Sequence, residues 1–285
     1  MNNNLVVVIL TYNEEIHIER AIKNVLGFAD KIVVLDSYSN DNTTEIAKNL
    51  GVDVIFRKFD NYKNQREYAI DYCKDLTEWM LFLDADEYLL DGLKNEIYSV
   101  TEDKSTYGYY LPRRFIFMDK WIKHGGYYPC YLLRLFRPEF ATIDGIINEH
   151  IVVNGPTKKL KYDFVDHNLK SIECWIDKHN KYTNFEAKNF WALKHDNVKT
   201  KKFNLRIQAE RKQWIKQKIW SHFPLLLRPF FYFVYRYFFL SGFLDGKAGF
   251  IYHLLQGGWN YFLVDVKYLE MTIQKKKNIS LESGS

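Results

Sequence analysis

Leu5-Val6-Val7-Val8-Ile9-Leu10-Thr11-Tyr12-Asn13-Glu14-Glu15 passes from six apolar, mostly β-branched residues directly into polar ones. An uninterrupted run of that length predicts a strand buried on both faces of a parallel sheet. Downstream the period changes: Ile16, Ile18, Ala21, Ile22, Val25 and Leu26 form an approximate helical stripe that stops near Gly27. Residues 31–35 are a second buried strand, which completes a strand–helix–strand unit.

The unit repeats outward from there. Residues 42–50 read as a helix stopped by Gly51, 52–56 as a third strand, 65–73 as a helix and 79–83 as a fourth strand. This alternation predicts an α/β fold with a Rossmann-like, doubly wound, mostly parallel sheet, whose ligands bind outside the carboxyl ends of the strands. Those ends carry Thr11 with Asn13, Asp36 with Ser37, and Asp84 with Asp86, three polar clusters in one expected crevice. From Tyr107 the pieces are aromatic-rich, with turns at Gly125-Gly126 and Gly145, and predict antiparallel strands and loops that cover the sheet edge.

The 285 residues are 47% hydrophobic and 17% aromatic with only six Pro, which excludes disordered, collagen-like and coiled-coil classes. That length suits one α/β domain with an extension, placed at 1–215 and 216–275, with the polar residues 281–285 read as an appended scar. The net charge of +5 is asymmetric: residues 1–150 carry 17 Lys/Arg against 24 Asp/Glu, and 151–285 carry 23 against 11. An acidic half suits a metal site, and a basic, aromatic half suits anionic lipid or nucleic acid. Three scattered cysteines fit neither a disulfide framework nor a zinc site, so a reducing cytosol is expected. The start lacks the basic region and cleavage site of a secretory signal.

Trp79-Met80-Leu81-Phe82-Leu83-Asp84-Ala85-Asp86-Glu87 delivers an Asp-x-Asp to a strand end. Paired carboxylates there suit Mg²⁺ or Mn²⁺ completed by substrate phosphates, although a lone pair could equally be a solvated turn. Asp36 precedes a Ser/Asn-rich turn, where it could accept hydrogen bonds from a nucleobase or ribose; Asp41 or Asn42 could simply cap the next helix. Arg66, in the Gln65-Arg66 pair that opens the third helix, could fork onto a diphosphate. His124-Gly125-Gly126-Tyr127-Tyr128-Pro129 and Arg134-Leu135-Phe136-Arg137 combine rings and cations suited to a sugar and its phosphates, making His124, Tyr128, Arg134 and Arg137 candidate acceptor-binding residues. In Asn148-Glu149-His150 either the carboxylate or the imidazole could act as general base. Residues 223–264 hold fifteen aromatics in forty-two positions, but Arg228 and Arg236 interrupt the apolar run and Pro224 and Pro229 bend its start. The expected arrangement is interfacial helices on a membrane, with a buried helical subdomain as the alternative.

Together, Ile9-Leu10-Thr11-Tyr12-Asn13-Glu14-Glu15, the segment from Val34 to Thr43 and Leu83-Asp84-Ala85-Asp86-Glu87 resemble glycosyltransferase family 2 enzymes with the GT-A fold. The His124–Pro129 and Arg134–Arg137 segments, with Gly242-Phe243-Leu244-Asp245-Gly246, are similar to the bacterial lipopolysaccharide-core β-glucosyltransferase branch, so the resemblance spans about residues 5 to 270. It implies inverting transfer of a hexose such as glucose from a UDP-sugar to a lipid-linked, lipopolysaccharide or capsule glycan. By position, Thr11, Asn13, Glu14 and Asp36 match nucleoside-binding segments, Arg66 the basic residue near the diphosphate, Asp84 the ribose and sugar side, and Asp86 the metal ligand. Glu149 is then the candidate catalytic base. Where the branch often shows Val-His-Glu this chain has Ile147-Asn148-Glu149, and Cys130 follows Pro129 where Asp is frequent. The expected partners are the nucleotide sugar, a glycan or glycolipid acceptor and the inner face of the cytoplasmic membrane, with no nucleic acid.

A polyprenyl-phosphate or protein acceptor is the nearest alternative, and a non-catalytic membrane-binding module a more distant one that leaves the acidic crevice unexplained. Asp-x-Asp phosphatases share only two letters here, with Tyr88 where they carry Thr or Val. A dinucleotide oxidoreductase is disfavoured because no Gly-x-Gly-x-x-Gly follows residues 5–10.

Overall fold

In the computed structural model, which describes residues 4–144, 150–195 and 223–282, the apolar runs form the centre of one mixed sheet. β1 (Leu5–Thr11) lies between β2 (Lys31–Asp36) and β4 (Trp79–Asp84), parallel to both, and β3 (Asp53–Phe56) continues the parallel half outside β2. Successive side chains of these strands enter opposite cores. Val7, Ile9, Leu81 and Leu83 join Ile18, Ile22 and Val25 of α1 (Glu15–Val25), Ala47 of α2 (Thr43–Asn49), and Leu93 and Ile97 of α4 (Asp91–Val100). Val6, Val8, Met80 and Phe82 join Ala69, Ile70 and Cys73 of α3 (Tyr62–Cys73). Helices on both faces explain why these strands show no polar alternation.

The strand order β3-β2-β1-β4 means that the winding reverses between β1 and β4. A crevice opens at such a reversal, outside the carboxyl ends of the two strands. Helix α3 begins at Tyr62 rather than at Gln65, because the Asn61 side chain accepts the Asn64 N–H at 2.9 Å and caps the additional turn.

Past β4 the sheet becomes mixed. β8 (Cys130–Phe136) is antiparallel to β4 and to β6 (Gly108–Phe117), as the sequence predicts, and the short β7 (Lys120–Trp121) turns back antiparallel on the end of β6. The expectation of antiparallel strands fails for β11 (Thr157–Lys159) and β12 (Phe164–His167), which run parallel to β6. Here the chain leaves β8, makes the separate pair β9 (Ala141–Asp144) and β10 (His150–Val153), and returns to β6 from its other side. β12 also pairs antiparallel with β5 (Glu87–Leu89), the short strand directly after Asp84-Ala85-Asp86, and so fixes the far side of that turn.

Two compact units result, residues 1–121 with 127–169, and residues 122–126 with 170–285. The second unit is helical. α5 (Ile172–His195) packs along α8 (Asn260–Glu282), and α6 (Arg228–Val234) continues into a π-helical turn, Tyr235–Phe239. Arg228 is buried, with Nε 2.8 and 3.0 Å from the two carboxylate oxygens of Asp265 and its guanidinium 4.3 Å from the Phe190 ring centroid. Arg236 is buried as well, donating from Nε to the Gly125 carbonyl at 2.8 Å. The two arginines that break the apolar run in sequence therefore point inward. Among the described residues no helix is long and apolar enough to cross a membrane.

His253, at the end of α7 (Gly246–His253), is fully buried between Gly125 and Gly242, where a Cβ on either glycine would collide with its ring. Neither ring nitrogen has a hydrogen-bond partner among the described residues. Burial, reinforced by the Arg236 charge and opposed by Asp245, pulls its pKa down to about 4 from an ordinary 6.5. The folded form holds the imidazole neutral while the unfolded chain takes up a proton near pH 6.5. Stability is thus complete above that value and falls as the pH drops towards 4, by about 2 kcal/mol after allowance for screening. Urea unfolding between pH 7 and 4.5 should show this slope in wild type and a smaller one in His253→Gln; equal slopes would remove His253 as the cause.

Candidate active site

Strand registers assemble the crevice. Thr11 pairs with Asp36 across β1 and β2, and Leu10 pairs with Asp84 across β1 and β4, so three neighbouring strands end together on one edge. Asp36 is completely buried there. Its Oδ2 accepts from Thr11 Oγ1 at 2.7 Å and Ser39 Oγ at 2.5 Å, and its Oδ1 accepts the Ser39 N–H at 2.7 Å. Asp36 therefore ties the loop after β2 to the end of β1. Asn13, with φ +53°, donates its N–H to Ser39 Oγ and accepts the Asn40 N–H on Oδ1, both at 2.8 Å. The left-handed backbone is one that Asn tolerates better than most residues.

Glu14 is held from behind. Buried His17 accepts the Leu169 N–H on Nε2 at 2.7 Å, which leaves the proton on Nδ1 to be donated to Glu14 Oε2 at 2.6 Å. The Glu14 N–H donates to Thr43 Oγ1 at 2.8 Å, linking the start of α1 to α2.

The Asp84-Ala85-Asp86 turn has its own frame. Arg134, on β8 beside β4, is buried and donates from Nη2 to Asp84 Oδ2 at 2.9 Å and to Glu87 Oε1 at 2.6 Å. Glu87, also buried, accepts the Asp84 N–H on Oε2 at 2.9 Å. Burial opposes the Arg134 charge, but the attraction of Glu87 and Asp84 outweighs it and holds the guanidinium above its ordinary pKa. On the other side Asn168 donates to Asp86 Oδ2 at 2.9 Å, and Arg20 Nη2 bridges the carbonyls of Asp86 and His167 at 3.2 and 2.7 Å. Arg66 Nη2 stands 3.7 Å from Asp84 Oδ1, with its guanidinium 5.4 Å from the Phe82 ring centroid.

The structure thus brings Thr11, Asn13 and Asp36 together in one cluster, and Arg66, Asp84, Asp86 and Arg134 in another along the same sheet edge. Arg134 is enclosed with Asp84 and Glu87 rather than presented to a second substrate. Arg137 lies elsewhere: just past the end of antiparallel β8 it stands beside the start of β4, 4.6 Å from the Trp79 ring centroid and 3.5 Å from Glu78. Five residues of strand, about 16 Å, separate Trp79 from Asp84. Tyr128 donates to Asp163 Oδ1 at 2.8 Å, and burial together with that carboxylate pushes its pKa up to about 12. His124 belongs to the second unit, where Asp245 takes its N–H at 2.8 Å and its Nδ1 at 2.6 Å. Glu149 lies outside the described residues. His17 and Asn168 carry no local sequence signal, because their partners Leu169 and Asp86 are brought to them only by the fold, whereas Ser39 and Glu87 each lie three residues from the aspartate they support.

Among the described residues no cluster of three or more His, Cys, Asp and Glu side chains is arranged to enclose a metal. A hard divalent ion that takes one or two carboxylates and completes its shell with a diphosphate needs no such cage. Asp86, half-buried at the open end of the turn and hydrogen-bonded by Asn168, would offer such an ion a carboxylate oxygen.

The sequence model for "Glycosyl transferase family 2" matches residues 6–160, more than half of the chain, and the protein belongs to that family. It is accordingly a glycosyltransferase, with a GT-A-type sheet and a C-terminal helical extension. An uncharacterized glycosyltransferase of Rickettsia typhi is 31% identical over 252 residues, covering 83% of this chain and 80% of the relative. The glycosyltransferase SunS of Bacillus subtilis is 36% identical over 96 residues, 32% of this chain and 22% of SunS. Among solved structures, glucosyl-3-phosphoglycerate synthase from Mycobacterium tuberculosis in complex with phosphoglyceric acid is similar with a TM-score of 0.43 and 14% identity, over 60% of this chain and 74% of that one.

Proposed function

We propose that this glycosyltransferase moves a hexosyl group, with inversion, from a UDP-sugar to a hydroxyl of a lipid-linked glycan of the lipopolysaccharide-core type. The observation that carries the reading is the Asp84-Ala85-Asp86 turn, framed by Arg134, Glu87 and Asn168 and set at the reversal between β1 and β4. The neighbouring Thr11, Asn13 and Asp36 cluster shapes the nucleoside end, and Arg66 faces the diphosphate beside Asp84. Mg²⁺ or Mn²⁺ held by Asp86 would neutralise charge on the departing diphosphate.

The acceptor oxygen attacks the anomeric carbon from the face opposite the diphosphate. The new glycosidic bond forms as the carbon–oxygen bond to the diphosphate breaks, and the hydroxyl proton passes to a carboxylate base, assigned to Glu149. UDP leaves with the bonding electrons.

The test is a panel of nucleotide sugars read by thermal shift and by slow release of free nucleotide, with and without Mn²⁺. One UDP-hexose at a hundred times its Kd should add about 2.7 kcal/mol and raise Tm by several degrees in a metal-dependent way. Absence of a shift with every nucleotide sugar, metal present, would overturn the donor assignment. With the donor known, glycolipid, polyprenyl-phosphate and peptide acceptors can be compared directly by product formation.

A further inference from the structure

Between residues 223 and 254 the usual distribution of charge is reversed. Four residues in the stretch are Asp, Glu, Lys or Arg, and three of them, Arg228, Arg236 and Asp245, are buried. Each has an internal partner: Asp265 for Arg228, the Gly125 carbonyl for Arg236, and His124 for Asp245. His253 is also buried. Apart from the exposed Lys247, the large exposed side chains of the stretch are aromatic and aliphatic.

Phe230, Phe231, Tyr235, Phe238 and Phe239 are exposed and recur at spacings of one, four, three and one, the recurrence of a single helical face. Phe239 is 76% exposed and Phe230 61%. Just beyond, Phe243 and Leu244 are exposed in the next turn. A continuous patch of large apolar groups on the outside of a helical unit marks an interaction surface rather than ordinary surface composition.

We propose that this face inserts into the interfacial layer of an anionic lipid bilayer, with Phe230, Phe238, Phe239, Phe243 and Leu244 as the inserted side chains. Two observations select lipid. The face presents rings and aliphatic groups with almost no charge, as an interfacial helix does on its membrane side. The half of the chain that carries it has 23 Lys/Arg against 11 Asp/Glu, the complement of an anionic headgroup layer. Burial of Arg228 and Arg236 within the unit removes the two charges that would otherwise have to be dragged into the interface. Placing the face in a membrane deepens the proposed lipid-linked acceptor and rests on that reading for its purpose.

The experiment is flotation of the full chain with phosphatidylcholine vesicles and with phosphatidylcholine–phosphatidylglycerol vesicles. Wild type should float with the mixed vesicles and less with phosphatidylcholine alone. Phe238→Ser/Phe239→Ser should lower the partition coefficient about tenfold or more, and Phe238→Leu/Phe239→Leu should retain it. The UDP-sugar melting shift should be the same in all three proteins, so loss of lipid binding and failure of the donor assignment are read separately. Equal flotation of wild type and the Ser variant, or no flotation of wild type, would overturn the proposal. So would a wild-type dimer, seen by light scattering, that the Ser variant converts to monomer without any vesicle binding, because the face would then cover a second copy of this chain.

Discussion

Alanine at Asp86 is expected to reduce turnover about a thousandfold or more while leaving the apo-protein folded. Charge neutralisation at a departing diphosphate is worth several kcal/mol, and each 1.36 kcal/mol is a factor of ten in rate. The fold has little at stake in this side chain: Asp86 is half-buried at the mouth of the turn, and its hydrogen bond from Asn168 is the kind of surface-near contact whose loss costs about 1 kcal/mol. The Asp86 backbone is held independently, its carbonyl accepting from Arg20 and from the His167 N–H at 3.0 Å. The check has two readouts. Turnover should collapse, and Mn²⁺-dependent stabilisation by UDP should disappear from the melting curve. Turnover near wild type at saturating Mn²⁺ would remove Asp86 from the chemistry.

The parts of this enzyme that were legible in sequence are those whose cause is local. β1, β2 and β4 are visible because a strand covered on both faces tolerates no polar residue, so the run is unbroken and its polar end marks the crevice. The start of α3 lies three residues before the point its sequence pattern indicates, because its signal is one Asn capping one N–H. Arg134 in β8 and Arg137 just after it show the limit more clearly. Arg134 and Arg137 look equivalent in Arg134-Leu135-Phe136-Arg137, yet antiparallel pairing of Met80 with Phe136 sends one towards Asp84 and the other towards Trp79. Register, which sets this outcome, is a property of two strands separated by fifty residues. The same holds for His17, whose partner Leu169 is 152 positions away. Arg228 and Arg236 interrupt the apolar run as a spanning helix would not allow, and among the described residues none spans, but the inward direction of both side chains depends on Asp265 and Gly125 and is not written in the run itself.

Substitution of Arg134 by methionine is expected to destabilise the first unit by about 3–5 kcal/mol, the usual consequence of removing one partner from a buried ion pair. Arg134 and Glu87 are both buried, and the guanidinium also reaches Asp84, so its loss leaves Glu87 in a low-dielectric interior with, among the described residues, the Asp84 N–H as its remaining hydrogen-bond donor. Packing is not the cause, because methionine retains an unbranched stem of similar length against Phe164, the ring over which the guanidinium lies at 5.7 Å. The double variant Arg134→Met/Glu87→Gln should be more stable than Arg134→Met alone by at least about 1 kcal/mol, since the amide oxygen still accepts the Asp84 N–H without carrying charge. Urea midpoints with an unchanged m-value would measure both effects. If Arg134→Met unfolds within 1 kcal/mol of wild type, the Asp-x-Asp turn does not depend on this pair, and the frame of the site must come from the Asn168 and Arg20 side alone. If the double variant recovers stability but not turnover, the charge of Arg134 acts on the position of Asp84 as well as on the fold, which is the outcome the shared Nη2 contact predicts.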